Sequence, residues 1–364
     1  MNKIDKSEMG ALTFFLVRAF FIGITLNNLI NISKQDSYIS MIGAIILGFI
    51  PLGIIYYVFN YEPGKSLPFK NIKLFGNIFG TIVNIVIIWF TFFIILILFS
   101  NLVTFVYSQY LSKTPTIVIS ILFMITIIYV VIHGLKTITR TSLILFFLSI
   151  VLYLLSLIGL FNQLSIDNFK PILENSYKVL FRGSYSYLTY NVLPLYLLLI
   201  IPKNDISDKK FFKYISTSYI IASISLLIVL FTTLGIFGIK MCYLYEYPEF
   251  QVLKYVSLVG MSVRIDGILI IQWIFDLIIF MIIGIYFIKE CTNSLFSVNK
   301  HIFSIIIGII LITLNEYFTN NMLLNDISMR IIPNIMFITI SLYLVIMFIS
   351  IKFKRYAQKK NRCS

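Results

Sequence analysis

The sequence has few charged residues for its length, and this scarcity excludes a water-soluble fold. Only 12% of its 364 residues are Asp, Glu, Lys or Arg, whereas 59% are hydrophobic and the mean hydropathy is +0.95. An average soluble domain carries about 25% charged residues. We therefore expect most of the apolar surface to face a lipid bilayer.

Residues that commonly carry catalysis or bind metals are also scarce. The two histidines, His133 and His301, have no cysteine or carboxylate pattern around them. Cys242, Cys291 and Cys363 are scattered, which predicts free thiols rather than disulfides or a zinc site. No glycine-rich loop ends in Lys-Ser or Lys-Thr, as ATP-binding loops do. We expect a protein that is not an enzyme and that uses no cofactor and no metal.

The formal net charge is +14, but its distribution does not predict nucleic-acid binding. The lysines and arginines lie in short connectors and in the C-terminal tail rather than on one soluble face. Roughly twice as many of them fall on the side of the membrane that holds the N-terminus as on the opposite side. Positive charge is enriched on the cytoplasmic side, so this bias predicts that both termini are cytoplasmic. The first apolar run has span length and no cleavage site after it, so we expect it to remain as a membrane helix.

Long apolar runs recur from end to end of the chain. Helical runs of about 18 to 25 residues can cross a hydrocarbon layer of about 30 Å, whereas outer-membrane strands would alternate apolar and polar residues. The pattern predicts an all-α polytopic membrane protein of about ten transmembrane helices. We place these spans at Gly10–Leu29, Tyr38–Tyr57, Ile78–Tyr107, Pro115–Val131, Ser142–Phe161, Gly183–Ile201, Tyr214–Ile239, Ile265–Ile288, Ile302–Asn315 and Ile332–Ile351.

Ten spans fit two five-helix repeats of inverted topology, here 1–161 and 182–352, followed by a basic tail at 353–364. In such a fold the first helix of each repeat is interrupted, and its freed backbone groups bind a small molecule near the membrane midplane. Both helices carry small and polar residues that predict an interruption. These residues form the stretches Gly23-Ile24-Thr25-Leu26-Asn27-Asn28 and Gly183-Ser184-Tyr185-Ser186-Tyr187-Leu188-Thr189-Tyr190-Asn191, the second followed by Pro194. The alternative is that these residues only pack helix against helix.

One charged residue of each sign stands inside a predicted span. Arg18 lies well within the first span, where an unpaired charge costs at least about 2.5 to 3.5 kcal/mol. Asp276 lies at comparable depth in the eighth span. We predict that the two residues interact, either to couple binding to an ion or proton or as a structural pair.

The connector from Lys240 to Arg264 is rich in aromatic and acidic residues, among them Tyr247, Glu249 and Phe250. Two interpretations remain open. The connector is either a gate or partner surface, or a solvated loop whose tyrosines lie at the level of the lipid headgroups.

Two blocks of sequence resemble a known family. The block Asn31-Ile32-Ser33-Lys34-Gln35-Asp36-Ser37-Tyr38-Ile39-Ser40 resembles the A-x-Q-D-A-W-x-S signature of the endospore germinant-receptor B-subunit permeases. A second block, from Tyr247 to Ser257 and on through Arg264-Ile265-Asp266 to Trp273, resembles the stretch that leads into helix eight of that family. The length, the ten spans and the basic tail are similar as well. That family is similar to the amino acid-polyamine-organocation transporter superfamily.

The resemblance implies a subunit that senses a small-molecule nutrient germinant, such as an amino acid, in the spore inner membrane. It implies partner A and C subunits and no nucleic acid. It also implies that Gly23–Asn27 and Gly183–Tyr187 contact the ligand, with Tyr107 or Tyr110 closing over it. The ligand itself does not carry over, because Asn27 and Gly183-Ser184-Tyr185 depart from the family pattern.

Two alternatives to a receptor remain. A stand-alone secondary transporter of amino acids or small cations would have the same fold and a different output. A passive assembly subunit would have uninterrupted first and sixth helices, which the polar stretches argue against.

Overall fold

The computed structural model describes residues 3–157, 160–255, 266–296, 299–319 and 321–363. Within these residues the chain is helical, and its β-type contact is a single parallel bridge between Ile4 and Ile206. The α-helices are α1 Lys6–Arg18, α2 Leu26–Ser33, α3 Ser37–Leu47, α4 Phe49–Phe59, α5 Leu67–Phe75, α6 Asn77–Gln109, α7 Thr116–Ile132, α8 Leu135–Leu157, α9 Tyr177–Tyr187, α10 Phe211–Cys242, α11 Pro248–Tyr255, α12 Asp266–Leu295, α13 Lys300–Thr319 and α14 Met322–Cys363.

Each of the ten predicted spans overlaps a helical segment of the structure. The first span consists of α1, a π-helical turn at Phe21–Thr25 and α2, and the second consists of α3 and α4. The sixth span consists of α9, a π-helical turn at Leu188–Val192 and a 3-10 helix at Leu193–Ile200. The predicted all-α polytopic fold with interrupted first and sixth helices is therefore confirmed. The boundaries of the two five-helix repeats stay a prediction.

Some predicted boundaries differ from those of the structure. The ninth span is longer than expected, because α13 covers Lys300–Thr319. The fifth span begins earlier, because α8 begins at Leu135. Within the described residues, six segments are long and apolar enough to cross a membrane: Lys6–Phe59, Asn77–Gln109, Leu135–Leu157, Phe211–Cys242, Ile270–Leu295 and Lys300–Thr319.

The spans turn apolar side chains outward and small polar ones inward, the reverse of a soluble helix. In α8, Ile144 and Phe147 are exposed, whereas Ser142, Ser149 and Ser156 are buried at seven-residue spacing. Small and hydroxyl side chains let neighbouring membrane helices approach closely, while lipid solvates the apolar face. This distribution is what a helix bundle in a bilayer requires.

Helix α1 lies at the centre of the bundle. Its residues are buried from Glu8 to Arg18, and it packs against α8, α10 and α12. A helix that is buried on every side has no lipid-facing or water-facing stripe. The polar groups of the first span therefore have to find partners within the protein.

The Gln35-Asp36 pair of the first sequence block fixes the connector that precedes α9. Gln35 Nε2 donates a hydrogen bond of 3.0 Å to the carbonyl of Pro171. The Asp36 carboxylate accepts hydrogen bonds from the backbone N–H groups of Leu173 and Asn175, at 2.8 and 3.1 Å. The side-chain amide of Asn175 donates a third, at 2.8 Å. The pair thus attaches the start of the sixth span to the end of the first.

Candidate ligand-binding site

The first span is broken at Gly23. Ile22 has extended backbone angles (φ −71°, ψ 128°) and Gly23 lies in the left-handed region (φ 76°). A β-carbon at Gly23 would lie 2.6 Å from the ring of Tyr247, so both the backbone and the space require glycine here. The chain then resumes its helical course, and the Thr25 hydroxyl donates to the carbonyl of Phe20 at 3.0 Å. The first span is therefore interrupted at Gly23, the glycine with which the predicted stretch begins.

A segment of the connector between α10 and α12, residues 246–250, covers this break. We call it the covering segment. The backbone N–H of Gly23 donates a hydrogen bond of 2.8 Å to Glu249 Oε1. Asn27 Nδ2 donates to the carbonyl of Glu246 at 2.6 Å and to that of Gly23 at 3.2 Å. The backbone N–H of Gly23 thus binds the connector, and the side chain of Asn27 joins the connector to the carbonyl of Gly23.

The covering segment is held in place by an aromatic cluster and by one polar contact to α6. The Tyr247 hydroxyl donates to Asn101 Oδ1 at 3.0 Å. The ring of Phe105 packs edge-on against those of Tyr247, Phe250 and Trp273, with centroids 4.8, 5.4 and 4.8 Å away. Edge-to-face aromatic pairs of this kind stabilise packing beyond the area that they bury.

These contacts bear on whether the connector from Lys240 to Arg264 is a gate or partner surface or a solvated loop. Tyr247, Glu249 and Phe250 are buried, so the interpretation as a solvated loop is wrong for them. Tyr243 and Glu246 are exposed, as that interpretation expects. The sequence did not reveal the difference, because a short polar connector has no periodicity that marks one face as buried. The role of the connector as a gate stays a prediction.

Several buried polar atoms around the break accept or donate no hydrogen bond within the described residues. They are Glu249 Oε2, Asn101 Nδ2 and Trp273 Nε1. Glu249 is 2% exposed. Buried polar groups in proteins are nearly always paired, so a concentration of unpaired ones suggests a place for a polar ligand. Glu249 and Asn101 were not among the sites predicted from the sequence.

Burial also changes the acidity of Glu249, which belongs to α11 and lies outside the spans. It raises the pKa of this carboxyl group to about 7, while the N–H groups of Glu249 itself and of Gly23 lower the pKa by less. The group therefore titrates near neutral pH.

Arg18 and Asp276 form a buried ion pair below the break. Arg18 Nε donates to Asp276 Oδ2 at 3.1 Å, and the two side chains are 2% and 1% exposed. Arg18 also donates to the hydroxyl of Ser225, and Tyr153 donates to the carbonyl of Ser225 at 2.9 Å. The contact that the sequence led us to expect is present, and it joins α1, α8, α10 and α12. Its part in ion or proton coupling stays a prediction.

The sixth span is interrupted in the second half of the predicted stretch Gly183–Asn191. The stretch Gly183–Tyr187 is regular α-helix and ends α9, and the irregular backbone begins at Leu188. Most of its side chains pack on other helices. Ser184 Oγ donates to the carbonyl of Ser40 at 2.6 Å, and the Tyr187 hydroxyl donates to Ser223 Oγ at 2.8 Å.

For Gly183, Ser184 and Tyr187, the structure therefore shows the helix-packing alternative. A β-carbon at Gly183 would lie 2.8 Å from Ser40 Oγ, so glycine lets α9 approach α3 closely. Ser186 is buried and Tyr185 is half-buried. That Gly183–Tyr187 contacts a ligand stays a prediction.

The π-helical turn at Leu188–Val192 contacts the first span just before its break. Asn191 Nδ2 donates to the carbonyl of Val17 at 2.6 Å, and the rings of Tyr190 and Phe20 lie 5.7 Å apart. The turn overlaps the last four residues of the predicted stretch Gly183–Asn191, but the polar run did not show at which of its residues the regular α-helix ends.

The remaining predicted residues lie at different distances from the break. Ile24, Thr25 and Leu26 are buried within the first span. Tyr107 is 39% exposed, and its closing over the ligand stays a prediction. The ring of Tyr110 packs against Phe250 of the covering segment, with centroids 6.1 Å apart. Of the second sequence block, Val256, Ser257, Arg264 and Ile265 lie outside the described residues.

Comparison with known proteins agrees with this architecture. The chain is similar in structure to a Na+-coupled sialic acid symporter, solved in a substrate-bound outward-open state, with a TM-score of 0.62. That match covers 88% of this chain and 76% of the symporter at 14% sequence identity, so it shows a shared fold. None of the curated proteins matches the chain significantly. A family profile described as spore germination protein matches residues 10–323, so the chain belongs to this family of spore germination permeases.

Proposed function

We propose that this protein is the nutrient-sensing B subunit of a germinant receptor. It binds a small molecule, such as an amino acid, at the break of the first span, near the membrane midplane. The observation that carries the proposal is the buried polar cluster around Gly23, in a chain whose residues 10–323 match the spore germination family. Polar groups without partners at an interrupted membrane helix suit a polar ligand.

As a receptor, the protein converts binding into a change that partner subunits detect. A ligand shifts a conformational equilibrium only by its different affinity for the two states. We propose that the covering segment supplies this difference by contacting the break, through Gly23 and Asn27, in one of the two states. The partners are the A and C subunits of the receptor, in the spore inner membrane, with both termini of this chain cytoplasmic.

A second candidate is a secondary transporter of amino acids or small cations. The fold shared with a Na+-coupled symporter supports it. Fold alone does not distinguish a receptor from a carrier, since function depends on the site and on the partners.

Germination of spores that lack this chain separates the two functions. Such spores would be exposed to a panel of amino acids, sugars and salts, and loss of refractility would be recorded. A receptor predicts a nutrient-selective defect that the wild-type chain restores and that Asn27→Leu, which breaks the contact to the covering segment, does not. Normal germination with lost uptake of one amino acid would make the protein a permease.

A further inference from the structure

We propose that Glu249 binds the positively charged end of the ligand, and that this end is a primary ammonium group. The inference rests on the proposed function and adds the charge and chemical class of the group that is recognised. It starts from the position of the Glu249 carboxylate at the break of the first span.

One carboxylate oxygen of Glu249 is hydrogen-bonded to the break, and the other can accept a hydrogen bond from a ligand. Oε1 accepts the hydrogen bond of Gly23 N–H, which fixes the carboxylate against the first span. Oε2 is buried and accepts no hydrogen bond within the described residues. A carboxylate oxygen that is held in place, dehydrated and unpaired is a strong acceptor for a cationic donor.

The charge of Glu249 has no counterpart in the described part of the chain, unlike that of the other buried carboxylates. Asp276 pairs with Arg18 at 3.1 Å, and Glu8 pairs with Lys136 at 2.8 Å. Asp36 accepts three hydrogen bonds from Leu173 and Asn175 instead. Because an isolated buried carboxylate is strongly destabilised, a positive group is the partner that this position lacks.

The surroundings of Glu249 suit an ammonium group better than a metal ion. Calcium binds six to eight oxygen ligands, and in the described residues no three His, Cys, Asp or Glu side chains are grouped to hold a metal. Tyr247 and Trp273 provide aromatic faces beside the break, with centroids 6.2 Å apart, and such faces attract organic cations.

Asn101 provides the complementary donor for the other end of an amino acid. Its Nδ2 donates no hydrogen bond within the described residues, and a β-carbon at Gly23 would lie 3.5 Å from it. The negatively charged acceptor Glu249 and the neutral donor Asn101 therefore both adjoin Gly23. The ammonium group of an α-amino acid would bind Glu249, and its carboxylate would bind Asn101.

The test measures binding to the purified full chain in lipid nanodiscs by the shift of its thermal unfolding temperature. Each of the proteinogenic amino acids is tried. The one that stabilises most is then compared with the amine that lacks its carboxylate and the acid that lacks its ammonium group. The variants are Glu249→Gln, which keeps an oxygen for Gly23 N–H, and the matched control Glu62→Gln, which lies in the connector between α4 and α5 and pairs with Lys73.

We expect the wild-type chain to bind the amino acid and, more weakly, the amine, and not to bind the acid. Glu249→Gln should weaken binding of the amino acid at least about tenfold, as loss of a charge-assisted bond does. Glu62→Gln should bind as the wild type does. Without any probe, Glu249→Gln should unfold at the same or a higher temperature, which separates a binding role from a structural one.

Four outcomes would overturn the inference. Unchanged binding by Glu249→Gln, or equal binding of the deaminated acid, would leave the proposed function standing and remove Glu249 from ligand recognition. Stabilisation by Na+ or Ca²⁺ alone that disappears in Glu249→Gln would make the partner a metal ion. If neither amino acids nor amines bind the wild-type chain, both the inference and the amino acid specificity of the proposed function fail.

Discussion

The backbone N–H of Gly23 donates a 2.8 Å hydrogen bond to the carboxylate of Glu249, 226 positions further along the chain. It joins the interruption of a central membrane helix to a connector that lies outside the spans. A movement of the covering segment therefore changes the environment of the break directly. This contact makes the two regions one site.

Gly23→Ala should destabilise the protein. The residue adopts φ 76°, and its new β-carbon would meet the ring of Tyr247, so we expect a loss of about 1–3 kcal/mol. Thermal unfolding of the purified chain measures it. The control is Gly53→Ala, because Gly53 lies within α4 and a β-carbon there meets nothing within 4 Å. Equal unfolding temperatures for the two variants would show that Gly23 is not constrained as described.

The effects of substituting Arg18 and Asp276 on stability should depend on each other. Asp276→Asn or Arg18→Gln alone leaves a buried charge without its partner, which typically costs about 3–5 kcal/mol. The double variant should recover much of that loss. A double-mutant cycle on unfolding temperature and on protein abundance in membranes gives the coupling energy. Additive effects, or single variants without effect on abundance and nutrient response, would contradict the pairing.

Asp36→Asn should loosen the start of the sixth span. The asparagine keeps one oxygen but loses the charge and one of the acceptors that bind Leu173 and Asn175, so we expect a loss of about 1–3 kcal/mol. Asp167→Asn is the matched control, because its pair with Lys170 is exposed. Proteolysis of the connector at 171–175 should accelerate in Asp36→Asn only. Equal rates would exclude the role assigned to Asp36.

Binding of an amine should weaken in acid. Since the pKa of Glu249 is raised to about 7, protonation removes its charge as the pH falls below that value, while an amine stays protonated. Affinity should fall by up to about tenfold per pH unit below 7, and Glu249→Gln should abolish this dependence. Cys242 and Tyr247, which lie beside Glu249, are uncharged throughout this range. If the affinity of the wild-type chain for the amine did not change with pH, protonation of Glu249 would not control binding, and this prediction would be wrong.

The sequence predicted the architecture well because bilayers constrain it strongly. Apolar runs of span length and the charges between them are sufficient to find the helices, and Gly23 marks the first break because only glycine tolerates that backbone. The pairing of Arg18 with Asp276 also followed from sequence, since two opposite charges in lipid have few other partners.

The details of the site did not follow from sequence. Gly183 and Ser184 have the composition of an interrupted helix, yet they serve close packing of α9 on α3. Glu249 has the composition of an exposed connector, yet tertiary contacts bury it. Both outcomes depend on which helix lies next to each residue, and a single sequence does not contain that information.

The most direct test of the account uses spores in which this chain is the only member of its family. Germination rate would be measured against nutrient concentration for the wild type, Glu249→Gln and Glu62→Gln, at equal protein abundance. The account predicts that Glu249→Gln needs at least about tenfold more nutrient for the same rate, whereas Glu62→Gln responds as the wild type does. Identical curves for all three would contradict a ligand site at the first-span break.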